Sequence, residues 1–214
     1  MKELAFSRCA RWREALSHAS LPAMWEGMTL VPGRACGDCT VCCTWPTIDK
    51  PEIQKKSGTT CKHCTVAGCG IYDARPPICR DYYCAWRAMD IFSEEWRPDR
   101  SGVLAYVESE GIGERFDYSI GIGLMLVDNP LRTVRQRWFQ DFVTTGVMNS
   151  IPLFLSLPGP PGCQAATGSL NTGEMVEAIR GGRVKDGLES VLKQLRAWKF
   201  EPATITHVGN DVGS

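Results

Sequence analysis

The chain has no excess of either charge: 24 Lys and Arg stand against 24 Asp and Glu in 214 residues. Without a net field, a general nucleic-acid binder or a membrane-surface protein is not expected. Long hydrophobic runs are also missing. The longest, Ile120 to Val127, is eight residues broken by two glycines, far below the roughly 20 that a membrane span needs. There is no internal repeat and no low-complexity tract. Histidine occurs only three times, and no Ser/His/Asp or His-Glu-x-x-His constellation can be assembled. Gly111-Ile112-Gly113 and Gly121-Ile122-Gly123 do not make the strand-loop-helix fingerprint of a nucleotide-binding fold. Near the start, Arg8, Arg11 and Arg13 interrupt any apolar stretch that a secretory leader would require. A cytoplasmic protein is expected.

Cysteine, by contrast, is abundant and local. Nine of the eleven lie between Cys36 and Cys84: Cys36, Cys39, Cys42, Cys43, Cys61, Cys64, Cys69, Cys79 and Cys84. In a reducing compartment persistent disulfides are rare, and an odd total leaves one thiol over in any full pairing, so clustered thiols point to metal. Zinc, iron–sulfur clusters and copper(I) all suit thiolate, commonly four sulfurs at a time, and nine thiols allow two such units. Cys42 and Cys43 are neighbours whose side chains tend to diverge. They are therefore expected to serve two centres or to bridge a binuclear one.

Spacing leaves the metal open. Cys36-x-x-Cys39-x-x-Cys42 is the run used by iron–sulfur ferredoxins. Cys36/Cys39 with Cys61/Cys64 equally satisfies the paired knuckles of a zinc ribbon. His63 either ligates or supports a thiolate from outside the ligand set, whereas His18 and His207 fall outside any cluster and are expected at the surface. Cys9 and Cys163 are isolated and expected to be no ligands. Trp45, Tyr72, Tyr82, Tyr83 and Trp86 are expected to pack over the site and exclude water. Arg75 and Arg80 would pair with carboxylates or donate toward sulfur. Between Arg34 and Arg87 eight basic residues face five acidic ones, a surplus that offsets thiolate charge.

From Leu30 to Trp86 neither the helical nor the strand period persists, so hydrocarbon burial alone does not specify a conformation there. Thiolate coordination, worth ~10–16 kcal/mol for structural zinc in small modules, is the expected substitute. The flanks are more regular. Residues 2–19 and 85–92 read as helices. Val103–Val107, Phe116–Ile120 with Ile122–Val127, and Leu153–Leu157 read as strands, with Gly111-Ile112-Gly113 as a turn. Asn129 caps a helix with Pro130 at its first position, and Leu131, Val134, Trp138 and Phe142 recur along it up to Gly146. After the loop Pro158–Gly162, residues 173–180 and 184–199 are helical, the second with Val184, Leu188, Val191, Leu192, Leu195 and Trp198 on one face.

Read together, the residues Cys36-x-x-Cys39-Thr40-x-Cys42-Cys43, Lys50-Pro51, Cys61-x-His63-Cys64, Gly68-Cys69-x-Ile71-Tyr72-x-x-Arg75-Pro76-x-x-Cys79-Arg80-Asp81-x-x-Cys84-x-Trp86 and Trp96-Arg97-Pro98-Asp99 resemble a family of small bacterial proteins. That family is named for its CxxCxxCC cysteine cluster and described as zinc- or iron-chelating. The resemblance covers about residues 36–100. It implies eight core sulfurs on Cys36, Cys39, Cys42, Cys43, Cys69, Cys79, Cys84 and one of Cys61 or Cys64. A more distant similarity to flagellin lysine methylases implies, through that family alone, cluster-dependent methyl transfer from S-adenosylmethionine.

The expected fold is therefore α+β: a loop-rich, metal-nucleated cysteine module packed on a small antiparallel sheet with flanking helices. Its expected segments are an N-terminal helical segment (1–30), the cysteine module (31–100), a small α+β region (101–200) and a flexible tail (201–214). The expected function is metal binding, with an iron–sulfur cluster favoured over zinc. The alternatives are a cluster-dependent enzyme such as a protein-lysine methyltransferase and a zinc-organised interaction module. Partners would be metal ions and a protein substrate or partner, with neither membrane nor nucleic acid.

Overall fold

The computed structural model describes residues 30–109 and 111–203. The helix expected over 2–19, Cys9, His18, His207 and the tail from residue 204 onward lie outside the described residues. The fold is α+β, with two small antiparallel hairpins near the front and one four-stranded sheet behind them.

After the one-turn helix α4 (Pro98–Ser101) comes the large sheet, whose strands β5 (Val103–Glu108), β6 (Gly121–Leu126), β7 (Leu153–Leu157) and β8 (Ala166–Ser169) lie side by side in that order. Strand β5 (Val103–Glu108) pairs antiparallel with β6 (Gly121–Leu126), from Val103 opposite Leu126 to Glu108 opposite Gly121. Strand β6 then runs parallel to β7 (Leu153–Leu157), which pairs antiparallel with β8 (Ala166–Ser169). An all-antiparallel sheet was expected, and the sheet is mixed. Parallel neighbours need a crossover, and residues 127–152 supply one through two helices, α5 (Pro130–Val134) and α6 (Arg137–Met148). Every residue of β7 is buried, as suits a strand covered on both faces.

The expected single helix after Asn129 divides in two. Asn129 caps α5, its side chain accepting from the Arg132 amide at 3.0 Å, but Gln136 adopts an extended backbone and ends the run. The break rotates the apolar face: Phe139, Val143 and Val147 join Val134 and Phe142 in the core, and Trp138 is only partly covered. Gly146 permits close approach to β7, since a Cβ there would stand 2.5 Å from the Leu153 side chain.

Two further expectations are corrected. Phe116–Ile120 is a loop, turned by the Phe116 amide on the Gly113 carbonyl at 3.1 Å and held where Arg115 donates to the Asn171 carbonyl at 2.8 Å. The fourth strand, β8, has the sequence Ala-Thr-Gly-Ser and lacks the apolar alternation that marks a strand. Helices α7 (Gly173–Arg180) and α8 (Val184–Arg196) form where their periodicity places them, burying Leu188, Leu192 and Leu195. Helix α8 stops before Trp198, which is 56% exposed. There the chain turns back to pair with the loop before β8, Gln164 donating to Glu201 at 2.8 Å and Ala203 to Gly162 at 2.8 Å.

The hydrocarbon core reaches forward to the end of the cysteine window. Ala85, Trp86, Met89, Phe92 and Trp96 belong to the same buried cluster as the sheet. Phe92, Trp96, Phe142 and Trp138 form an aromatic stack with centroids 4.4–5.1 Å apart. Arg34 fastens the segment entering the cysteines onto this core. It donates to the carbonyls of Trp86, Met89 and Phe92, pairs with Glu94 at 3.0 Å and lies over the Trp86 ring.

Candidate metal centre

The nine clustered cysteines sit on short, irregular pieces. Helix α1 (Val41–Thr44) carries Cys42 and Cys43, and the hairpin of β1 (Ile48–Lys50) and β2 (Ile53–Lys55) follows it. A second hairpin, β3 (Cys64–Thr65) with β4 (Gly68–Cys69), sets Cys64 directly opposite Cys69. Cys79 is the third residue of the one-turn helix α2 (Pro77–Arg80), and Cys84 precedes α3 (Ala85–Ala88), which enters the core. Few backbone bonds join these pieces. One is Cys61 donating to the Cys43 carbonyl at 2.9 Å.

Seven of the nine cysteines, Cys36, Cys39, Cys42, Cys43, Cys61, Cys69 and Cys79, line one cavity of about 190 Å³. Its other walls include Ile48, Ile53, Ile71, His63 and Tyr82, with Tyr72 and Ile78 exposed at the rim. The β3–β4 turn closes tightly on the Cys36 loop: a Cβ on Gly68, which has a φ of +114°, would stand 2.5 Å from the Gly37 carbonyl oxygen. Only glycine fits.

Backbone amides are aimed at several sulfurs. The His63 amide donates to Cys61 Sγ at 3.4 Å. Val41 does the same for Cys39, and Arg87 and Trp86 for Cys84. In three of these turns the donor lies two residues beyond the cysteine, so the knuckle conformation itself stabilises negative sulfur.

The thiols sort into two electrostatic neighbourhoods. Cys42 and Cys84 both feel Cys36 and Cys39. Cys64 and Cys79 both feel Cys43, Cys61 and Cys69. The adjacent Cys42 and Cys43 fall on opposite sides of this division, joined by a side-chain hydrogen bond. That bond holds Cys43 down at about 6, aided by Cys64, Lys55 and Arg75, although its burial opposes. The same bond, with burial and neighbouring sulfurs, drives the Cys42 thiol strongly upward. Burial first, then Cys36 and Cys39, raises Cys84 to about 11. Burial likewise raises Cys39 and Cys79.

Lys55 is the residue that sequence reasoning did not single out. It is 6% exposed, and its Nζ donates to the carbonyls of Thr44 at 2.7 Å and Pro46 at 2.6 Å. Burial pushes its pKa down while Cys61, Cys43, Cys42 and Cys79 push it back up. The signal was available: in β2 the alternation that buries Ile53 and exposes Gln54 also turns Lys55 inward.

The other expected contributors divide. Arg75 bridges the Tyr72 carbonyl (2.9 Å) and the Cys79 carbonyl (3.2 Å) and stacks over the Tyr72 ring at 3.8 Å. Its charge lowers Cys43 and Cys79. Arg80 instead pairs with Asp81 in solvent, both side chains more than half exposed. Tyr82 lines the cavity, and burial raises its hydroxyl pKa. The Trp86 side chain is packed in the hydrocarbon core, and Trp45 lines a separate groove beside Pro158 and Phe200. Arg97, beyond the cysteine window, donates to the Cys36 carbonyl at 3.2 Å and pairs with Asp38 and Asp99.

All ten described cysteines are free thiols, and Cys163 lies apart, bridged through its backbone to Pro202. Among the described residues no three His, Cys, Asp or Glu side chains stand in ready-made ligand geometry for an ion. The donor chemistry nevertheless fits a thiophilic metal: soft sulfurs line one cavity, backbone amides are aimed at several of them, and the buried Lys55 ammonium, whose pKa four of the thiols push up, offsets their charge. Among those residues no helix is long and apolar enough to cross a membrane. No protein-family model, curated protein or solved structure matches the chain.

Proposed function

We propose that the protein binds metal through its clustered thiolates, as an iron–sulfur cluster in preference to zinc, in a reducing, cytoplasmic compartment. The observation that carries this reading is the convergence of seven cysteines on one small cavity. Buried sulfurs so placed repel one another when ionised, and a bound cation reverses the sign of that interaction. The resemblance of residues 36–100 to the CxxCxxCC family supports the same reading. The neighbourhoods support a reading with two centres, Cys36, Cys39, Cys42 and Cys84 holding one and Cys43, Cys61, Cys64, Cys69 and Cys79 the other. Bound iron–sulfur would supply electron transfer or local structure. The chain's own part is to hold the sulfurs, donate amides to them and exclude water.

The cavity volume bears on the enzymatic alternative. About 190 Å³ is below the ~300–1,000 Å³ of sites for drug-sized ligands. It suits an ion or cluster better than a cluster together with S-adenosylmethionine and a substrate.

The test is purification under anaerobic conditions followed by iron, zinc and acid-labile sulfide analysis. Iron with stoichiometric sulfide is the expected outcome, and zinc without sulfide selects the interaction module. Cys42→Ser and Cys43→Ser should each lose metal, and Cys163→Ser should keep it. A metal-free, fully folded protein would refute the proposal.

A further inference from the structure

Away from the thiols, a cleft of about 520 Å³ opens between the turn Glu94–Trp96 and helix α6. It shares no lining residue with the cysteine cavity. Its floor is aromatic, built from Trp96, Trp138 and Phe142. Trp138 stands edge-on to Trp96, with centroids 4.7 Å apart and planes at 75°.

Its rim is acidic. Asp90, Glu95 and Asp141 border the cleft against a single cation, Arg137, whose Nε lies 3.5 Å from Asp141. Asp90 and Glu95 are exposed and have no ion-pair partner among the described residues. The three carboxylates do not converge on a point as ligands of a metal ion would.

An apolar floor beneath separated negative charges fits a cation that carries its charge at the end of a hydrocarbon stem. The cleft is open to solvent, so such a group can enter while the molecule bearing it stays outside. We propose that this cleft binds a cationic side chain, lysine or arginine, presented by a partner polypeptide. The stem lies on Trp138 and Phe142, and the head faces Asp90 and Glu95.

Saturation-transfer NMR on the full chain tests this with three probes: the N-acetyl methylamides of lysine, arginine and glutamine. The lysine or arginine probe should bind saturably and the glutamine probe should not. The tighter of the two cations identifies the side chain. The double variant Asp90→Asn, Glu95→Gln should raise that Kd about fivefold or more, the combined worth of two exposed charge contacts. Both positions are exposed, so the variant keeps its fold, checked by an unchanged Tm. Trp138→Ala should weaken the same probe. No saturable binding of either cation, equal binding of the glutamine probe, or an unchanged Kd in the double variant overturns the proposal.

Discussion

A buried ammonium among sulfurs is an unusual investment for a small module, and Lys55 shows why it persists. Its two short bonds tie β2 to the chain leaving Cys42 and Cys43, so one side chain fixes both the position and the charge balance of the thiol pair. Lys55→Met keeps the stem and removes the charge, leaving the Thr44 and Pro46 carbonyls without their donor. Hydrogen bonds to a charged group are worth about 1.5–3 kcal/mol each. Two such bonds give an expected loss of about 3–6 kcal/mol, read from urea unfolding of protein as purified; an unchanged midpoint would show that water replaces the ammonium. The lowered Cys43 and raised Cys42 belong to the same small environment. Neither is visible from sequence, where nothing distinguishes the surroundings of one adjacent cysteine from those of the other.

Among the elements, those with a local signal were legible and those without one were not. The Asn129-Pro130 start, the α7 and α8 periodicities and the apolar runs of β5 and β7 sit where composition places them. The break at Gln136 and the strand at Ala166–Ser169 carry no such signal. They exist because a crossover must return the chain to β7 and because β7 has an edge to cover. Phe116–Ile120 failed in the opposite direction, its alternation satisfied by loop contacts instead of a ladder. The cap is the testable part: Asn129→Ala removes the acceptor for Arg132 and should cost about 1 kcal/mol. That corresponds to roughly 2–4 °C in Tm for a chain of this size. A substitution at the contact where Arg135, just past α5, meets Glu189 of α8 at 2.7 Å, the arginine more than half exposed and the glutamate partly so, should change Tm much less.

At the scale of the whole molecule two sources of order meet at Cys84. Behind it the sheet, α6 and α8 bury a continuous hydrocarbon core. Ahead of it lie one-turn helices and two- or three-residue strands with little buried hydrocarbon beyond Ile53. If metal supplies the free energy of the front, chelation under reducing conditions should raise amide exchange across 36–84 by about a hundredfold or more. Amides of β6 and β7 should keep their protection. Equal loss in both regions, measured by hydrogen exchange with mass spectrometry, would mean that the front is held by the core.

The sequence by itself determined the chemistry available: which residues are thiols, how densely they lie, that the charges balance and that the fold is α+β. Those follow from composition and from periodicities short enough to read along the chain. The tertiary structure alone decided which sulfurs line one cavity, that Lys55 turns inward to bind the Thr44 and Pro46 carbonyls beside Cys42 and Cys43, and that β6 and β7 run parallel. Each of these depends on residues far apart in the chain meeting in space, and irregular loops leave no period from which such meetings can be inferred.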